Sequence, residues 1–164
     1  MTASLSTHSL RTLTLALTPA TLGELGVSGP TSLLGALSND DPLCWLRRGE
    51  GLMGFGEIAS FAGTGTGRFT NAEQWWKNLL VAAEVNDSVR MPGTGAMAFG
   101  SFAFSKTSAT TSVLIVPALV VGFTAGTIWL TQLSLDGTVP TADSAQTLLR
   151  TVLAAAASPL LHFL

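Results

Sequence analysis

The feature that most limits how this chain can fold is an uncharged stretch over residues 107–135. About 20 apolar residues suffice to cross a lipid bilayer, so the length of the stretch admits a transmembrane helix. Pro117 and Gly122 interrupt it, however, and a Thr-Ala-Gly turn signal separates two segments of strand length. We therefore predict a buried β-hairpin of residues 112–123 and 127–135, with a membrane-associated chain as the alternative.

The composition is that of a folded chain with little charge. Apolar residues make up 47% of the 164 residues and charged residues 11%, against roughly 25% charged residues in ordinary soluble domains. A chain of this length is typical of a single domain. The net charge of −2 and the isoelectric point near 5.5 provide no basic surface to gather phosphates. We therefore expect no nucleic-acid partner.

Cysteine and histidine are too scarce for several kinds of site. Cys44 is the only cysteine, which excludes an internal disulfide and any metal site with several thiolates, and fits a reducing compartment. His8 and His162 stand at opposite ends of the sequence, so they form a pair only if both termini fold together. The apolar run after Arg11 is short and interrupted by threonine, unlike a secretory signal. We expect a cytoplasmic protein with no membrane partner.

The pattern along the chain predicts an α+β fold, in which antiparallel β-hairpins are packed by one amphipathic helix and a C-terminal helix. Residues 1–32 are rich in Ser, Thr, Gly and Pro and show no sustained period, so we predict a weakly structured N-terminal segment. The elements predicted after it are a strand at 33–37, a turn at 38–42, a hairpin of strands 43–48 and 52–61, a helix at 71–85, a strand at 96–104 and a helix near 145–157.

The helix at 71–85 has the clearest local signal. Its apolar residues recur at helical spacing on one face, and they are Ala72, Trp75, Trp76, Leu79, Leu80 and Ala83. Thr70 precedes the helix with Glu73 three residues on, which is the spacing of a capping box. Adjacent tryptophans could form a platform for a stacked ligand. At this spacing they more often anchor a helix onto a sheet, so we assign them to the core.

Candidate chemical groups are few, and each has a plainer structural interpretation. The glycine-rich loop at 63–67 lacks the lysine of a phosphate-binding loop and is interpreted as a linker. Glu50 and Glu57 are an acid–base pair only if the hairpin brings them together, and we expect both in solvent at different heights. An arginine pair and the cysteine are interpreted as surface charge and as a small buried hydrophobe, namely Arg47, Arg48 and Cys44. We predict no catalytic, cofactor-binding or metal-binding residue.

Four segments together carry a resemblance to a known family. They are residues 45–57 (WLRRGEGLMGFGE), Arg68 and Phe69 leading into the helix at 73–76, residues 98–104 (AFGSFAF) and residues 113–117 (VLIVP). Their order and spacing, over about residues 33 to 135, resemble the N-terminal half of the chorismate-utilising enzymes. The resemblance is greatest to isochorismate synthase of the menaquinone or siderophore type of actinobacteria. Anthranilate, aminodeoxychorismate and salicylate synthases are the other activities that the segments leave open.

The resemblance implies half of the chorismate-binding enzyme fold and a parent isomerase that binds chorismate with Mg²⁺ and moves a hydroxyl group on its ring. In the family, a lysine base, a glutamic acid and the acidic metal ligands all lie in the C-terminal half. Lys77 and Lys106 are the only lysines here, and neither lies in the family's lysine motif. We therefore expect a fragment, truncated or frameshifted, that is inactive alone and binds no Mg²⁺ by itself.

The same resemblance divides the chain into parts. Residues 33–136 are the region similar to the family, and residues 137–164 are a linker and a helical tail. Strands that the second half would normally cover are expected to make the chain self-associate through exposed apolar surface. The alternative function is a free-standing α+β binding or interaction module without catalysis.

Overall fold

The computed structural model of the protein describes residues 8–37 and 42–156. In chain order its elements are β1 (Arg11–Ala16), α1 (Pro19–Glu24), α2 (Pro30–Leu34), β2 (Leu43–Arg47), β3 (Glu50–Phe55), β4 (Ala59–Gly63), α3 (Arg68–Val81), β5 (Glu84–Asp87), β6 (Phe99–Ser101), β7 (Ser112–Val116), β8 (Leu119–Thr124), β9 (Thr127–Ser134) and α4 (Ala142–Ala156). The predicted α+β class and the C-terminal helix are confirmed. Most of the turn predicted at 38–42 and the tail beyond α4 lie outside the described residues.

The strands form two sheets. The larger sheet has the order β2-β3-β8-β9-β1-β5, and the smaller one has the order β4-β7-β6. β1 and β5 pair in parallel, and the other neighbours pair antiparallel. Parallel neighbours need a long crossover connection. Here the crossover from β1 to β5 carries six elements, from α1 to α3.

The uncharged stretch supplies strands to both sheets. β8 and β9 form a hairpin around Ala125 and Gly126, whose φ angles of 41° and 85° suit the two-residue turn that strand twist favours. The predicted hairpin is confirmed, but its first strand is not continuous. At Pro117 the chain leaves β7 in the smaller sheet and enters β8 in the larger one. Within residues 8–37 and 42–156, no helix has the length and apolarity needed to cross a membrane.

Each face of the larger sheet carries its own apolar cluster. One face packs against α1, α2 and α4, and its fully buried members include Leu33, Met53, Leu119, Leu130 and Leu149. The opposite face packs against α3 and the smaller sheet, and the buried members there are Leu10, Val116, Val120 and Leu133. The larger sheet is therefore the middle layer of the domain.

Trp129 of β9 lies directly over Gly122 of β8. A Cβ atom on Gly122 would collide with Cε2 of the Trp129 ring, so only glycine fits beneath the indole. The Trp129 Nε1–H donates to Gly93 O at 3.2 Å. This side chain therefore joins the central hairpin to the loop between β5 and β6.

The N-terminal region is regular from Arg11 onward, contrary to the weak structure predicted for residues 1–32. β1 is an interior strand of the larger sheet, between β9 and β5. Leucine does alternate with threonine in β1, so the period-2 signal of a strand is present in the sequence. The more buried face of the strand is nevertheless the one that carries Thr12 and Thr14. Residue types therefore give no sign that β1 is an interior strand.

Three further strand predictions differ from the structure. The segment at 33–37 was expected to be a strand, but α2 occupies its start, and Pro30 suits the first turn of that helix. The strand expected at 52–61 is two strands, β3 and β4, which Gly56 (φ 70°) separates and which belong to different sheets. The strand expected at 96–104 is limited to β6.

The helix expected at 71–85 begins and ends earlier, as α3. Its N-cap is Gly67, which makes no side-chain capping bond. Thr70 lies inside the helix, so the predicted capping box is wrong. Glu73 instead forms an ion pair with Lys77, with Oε1 and Nζ 2.6 Å apart. The helix therefore begins without a side-chain cap, and its position rests on the packing of its apolar face.

Two buried threonines of β1 provide a matched test of this interior. Thr14 Oγ1 is 2.8 Å from Thr131 Oγ1 and accepts from Gly95 N at 3.1 Å, whereas Thr12 Oγ1 is buried without a partner among the described residues. We expect Thr14→Val to lower the free energy of unfolding by about 1–3 kcal/mol, because two polar groups lose their partner. Thr12→Val should leave it unchanged or raise it. Urea denaturation measures both, and equal losses would contradict the assignment.

Candidate functional site

A cleft of about 1350 Å³ opens between α3 and one end of the larger sheet. We call it the main cleft. α3 and the start of β4 form one wall, while residues 8–10, just before β1, and the end of β9 form the other. Polar side chains that line it include Glu57, Ser60, Asn78, Ser134 and Asp136, above an apolar floor that includes Trp75 and Leu79.

The best-defined polar group of the main cleft is the Asp136 carboxylate. Its Oδ1 accepts from the Ser134 hydroxyl and from the Thr138 N–H, both at 2.9 Å. Hydrogen bonds from Thr138, and then the one from Ser134, lower the pKa of Asp136 to about 2. Arg11 Nη1 donates to Gly137 O in the same turn at 2.9 Å. The carboxylate is therefore ionised at neutral pH and organises the turn after β9.

The charged side chains that line the main cleft are acidic. Glu57 and Asp136 line it, and within the described residues no lysine or arginine does. An anionic ligand is held by cationic side chains or by convergent N–H donors. The described lining thus offers two carboxylates and the imidazole of His8, but no permanently cationic side chain, to an anion with two carboxylates.

The described residues also do not fit a Mg²⁺ site. Nowhere in residues 8–37 and 42–156 do three side chains of His, Cys, Asp or Glu come together. Mg²⁺ needs near-octahedral oxygen ligands, whereas Asp136 already accepts two hydrogen bonds within its own turn. These residues by themselves therefore do not support a metal-dependent step.

A second, smaller cleft of about 420 Å³ lies where β2 faces β6 and β7 of the other sheet. We call it the side cleft, and its lining includes Leu43, Trp45, Leu52, Met97, Phe99 and Ile115. A Cβ atom on Gly54 would lie 2.8 Å from Phe99 Cε2, so β6 lies against β3. β2 is the neighbour of β3 at the edge of the larger sheet. Residues of both β2 and β6 therefore line the side cleft.

The structure keeps the candidate acid–base pair apart. Glu50 lies at the hairpin end of β3, and Glu57 follows the opposite end of that strand. Both side chains are exposed, as predicted. Arg47 and Arg48 are exposed as well, and Arg48 takes part in the β2–β3 turn with φ 52°. The interpretation of these arginines as surface charge is confirmed.

The glycine-rich loop at 63–67 holds an arginine side chain. Arg68 is 5% exposed and donates to three carbonyl oxygens, those of Gly65 at 2.8 Å, Ala103 at 2.9 Å and Phe104 at 3.0 Å. Its guanidinium carbon also lies 4.4 Å from the centre of the Phe69 ring. Reasoning from residue types missed this role, although a single arginine directly after a glycine-rich loop was the available signal. The loop therefore binds the chain's own guanidinium.

The remaining candidates divide into one correction and two confirmations. Cys44 is exposed on β2, so its prediction as a buried hydrophobe is wrong. β2 is one of the two edge strands of the larger sheet. Trp75 and Trp76 pack against the apolar cluster beneath α3, and Phe61 lies 6.0 Å from Trp75 between ring centres. Their assignment to the core is confirmed.

Substitution of Arg68 tests the closure of this loop. We expect Arg68→Met to lower the free energy of unfolding by about 1–3 kcal/mol, because the buried guanidinium makes three hydrogen bonds to carbonyl oxygens that are then lost. Thermal and urea denaturation measure the loss. Lys106→Met, which also removes a cation but from an exposed position, is the matched control and should change stability little. An Arg68→Met variant as stable as the wild type would contradict a stabilising role of these hydrogen bonds.

The low pKa of Asp136 predicts a pH dependence. A carboxyl whose pKa is lowered in the folded state adds stability above its ordinary pKa of about 4, and this is lost as the pH falls toward its folded value of about 2. We expect Asp136→Asn to be less stable than the wild type at pH 7, with the two thermal midpoints converging as the pH approaches 2. A difference that stays constant from pH 7 to pH 2 would contradict this role.

Comparison with known proteins supports a single family. The sequence profile of the family described as "Chorismate binding enzyme" matches residues 36–158. This range runs from before β2 to the end of α4 and includes α3 and eight of the strands. Neither the curated proteins nor the solved structures contain a match. Because the profile covers well over half of the sequence, the chain belongs to the chorismate-binding enzyme family.

Proposed function

We propose that this chain is the N-terminal part of an isochorismate-synthase-like enzyme in the cytoplasm, and that it does not convert chorismate by itself. The parent reaction is the Mg²⁺-dependent isomerisation of chorismate to isochorismate, for menaquinone or siderophore biosynthesis. The observation that carries the proposal is the family match over residues 36–158. The isochorismate synthase type rests on the similarity of the four sequence segments described above.

The electrostatics of the main cleft support the dependence on further protein. Chorismate carries two carboxylates, and the described lining of the cleft contributes Glu57 and Asp136 without a lysine or arginine. Apart from the His8 imidazole, cations that neutralise the substrate then come from outside these residues. In this proposal the chain forms one wall of the site.

The positions of the lysines support the same dependence. A lysine that acts as a base must be close to its substrate and neutral, which usually requires burial. Lys77 is 62% exposed on α3 and pairs with Glu73, and Lys106 is exposed in the loop before β7. The base of the isomerisation therefore belongs to protein beyond this domain. When bound there, Mg²⁺ would neutralise a substrate carboxylate.

A free-standing binding module is the second candidate. The observation that favours it is that both faces of the larger sheet carry clusters of buried apolar residues, with Leu33, Val116 and Leu149 at 0% exposure. A domain with two such clusters has the core that independent folding requires. A module of this kind would hold a ligand in the main cleft without changing it.

An activity assay tests the proposed function. We expect the purified chain with chorismate and Mg²⁺ to form isochorismate no faster than buffer, because the loss of one general acid or base typically costs about 10²–10⁴ in rate and here both are lacking. Chromatography of the products measures the conversion. Conversion above the buffer rate would contradict the proposal. The Glu57→Gln variant would then test whether the conversion takes place in the main cleft.

Two further arms separate the candidates. Co-expression with the C-terminal half of a related isochorismate synthase should restore conversion if this chain supplies one wall of the site. Calorimetric titration of the chain alone with chorismate should show no binding. Saturable binding without conversion, unaffected by the second half, would favour the binding module.

A further inference from the structure

β2 is the outermost strand of the larger sheet on one side. It pairs with β3 on its inner side, and no other strand within residues 8–37 and 42–156 lies against its outer side. The exposed fraction is 59% for Trp45 and 45% for Leu46. An exposed strand edge with apolar side chains is a template for another strand.

The ladder fixes which backbone groups of β2 point outward. The β2–β3 turn consists of Arg48 and Gly49, both with positive φ, and the flanking Arg47 and Glu50 are paired. In a two-residue hairpin the flanking pair exchanges both hydrogen bonds, and alternate residues do so along an antiparallel ladder. Trp45 and every second residue from it therefore bond to β3. The N–H and C=O groups of Cys44 and Leu46 point outward.

The ends of β2 limit how an added strand can align. Pro42 has no N–H to donate, so it ends pairing on one side. Arg48 turns the chain away into β3 on the other side. The free edge is therefore limited to Leu43–Arg47.

The best-matched antiparallel partner for this whole edge is the same edge of a second copy. In the register that places the two Trp45 residues opposite each other, Cys44 of each copy lies opposite Leu46 of the other. The outward N–H and C=O groups of these residues then face each other. Each of these two pairs can exchange two hydrogen bonds. Arg47 then lies opposite Leu43 of the second copy, so no two charges of the same sign face each other across the ladder. The edge is self-complementary in hydrogen bonding and in charge.

The side cleft gives the central tryptophans a place to pack. Directly opposite residues of an antiparallel pair lie on the same face of the sheet. Trp45 lies on the face that carries the side cleft, beside Phe99 and Ile115. The two Trp45 side chains would lie together between the two side clefts, out of water.

We propose that two copies of this chain associate through β2, which pairs antiparallel with β2 of the second copy in the register centred on Trp45. The larger sheets of the two copies then become one continuous sheet. The proposal gives a specific surface to the self-association expected from the sequence, and it does not rest on the proposed enzymatic function.

The opposite edge of the larger sheet is a less suitable surface. β5 carries two carboxylates in four residues, and Glu84 is already engaged by Arg11 at 3.1 Å. Asp87 accepts hydrogen bonds from the N–H groups of Val89 and Arg90 in the loop that follows. Val85 is nevertheless 51% exposed, so it provides a matched control position.

Sedimentation velocity of the whole chain across a range of concentrations tests the association. We expect a reversible dimer for the wild type, and a dissociation constant raised by roughly tenfold or more in Trp45→Glu, because two carboxylates then face each other in place of an aromatic pair. Val85→Glu should keep the wild-type value. Far-UV circular dichroism checks that both variants fold, which the exposure of both positions favours.

Disulfide formation tests the register. Cys44 is the only cysteine, so in the proposed register the wild type does not cross-link, because Cys44 faces Leu46. Leu46→Cys should form a covalent dimer on mild oxidation, since opposite residues in a ladder are within disulfide distance. Leu46→Cys combined with Cys44→Ser should not, because the introduced thiol of one copy then faces the introduced hydroxyl of the other.

Other outcomes overturn the proposal. Cross-linking of the wild type would place Cys44 opposite itself, and cross-linking of the double variant would place residue 46 opposite itself. A monomer at every concentration, or association that Val85→Glu abolishes and Trp45→Glu leaves unchanged, excludes β2 as the surface. Activity measurements take no part in this test, so its failure is distinct from failure of the proposed function.

Discussion

The packing of Trp129 on Gly122 is the contact on which the middle of the domain depends. The indole fills the space that a side chain at Gly122 would need, and its N–H holds Gly93 in the loop between β5 and β6. That loop in turn reaches β1, where Gly95 donates to Thr14. The indole of Trp129, packed on Gly122, thus connects the β8–β9 hairpin to the loop between β5 and β6 and, through that loop, to β1.

The two faces of the larger sheet are covered by different elements. One is closed by α1, α2 and α4 over a continuous apolar cluster. The other carries α3, the smaller sheet and the side cleft, and it borders the main cleft, which Leu148 of α4 also lines. A site for chorismate has to neutralise the charge of two substrate carboxylates, whereas the main cleft is lined by the carboxylates of Glu57 and Asp136. In the proposed function, this face supports a site that other protein completes.

Reasoning from residue types found the local elements better than the contacts between them. The spacing of Trp75 and Trp76 predicted a packed helix face, because helical periodicity is a property of neighbouring residues. Arg68 and Cys44 were not assigned correctly. Two of the three carbonyl oxygens that bind Arg68, those of Ala103 and Phe104, lie 35 and 36 residues further along the sequence. The position of β2 at the sheet edge exposes Cys44. Both environments therefore depend on how distant segments are arranged.

By itself, the sequence determined the α+β class, the hairpin around Ala125 and Gly126, the amphipathic helix α3 and, through the match over residues 36–158, the family. Periodicity and turn residues are properties of neighbouring residues, and the order of segments can be seen along the sequence without knowledge of the fold. The tertiary structure alone decided that β1 is an interior strand, that β7 and β8 belong to different sheets, and which side chains line the clefts. The physical reason is that strand pairing and burial are contacts between residues far apart in the chain, and the free energy of the whole fold selects among them.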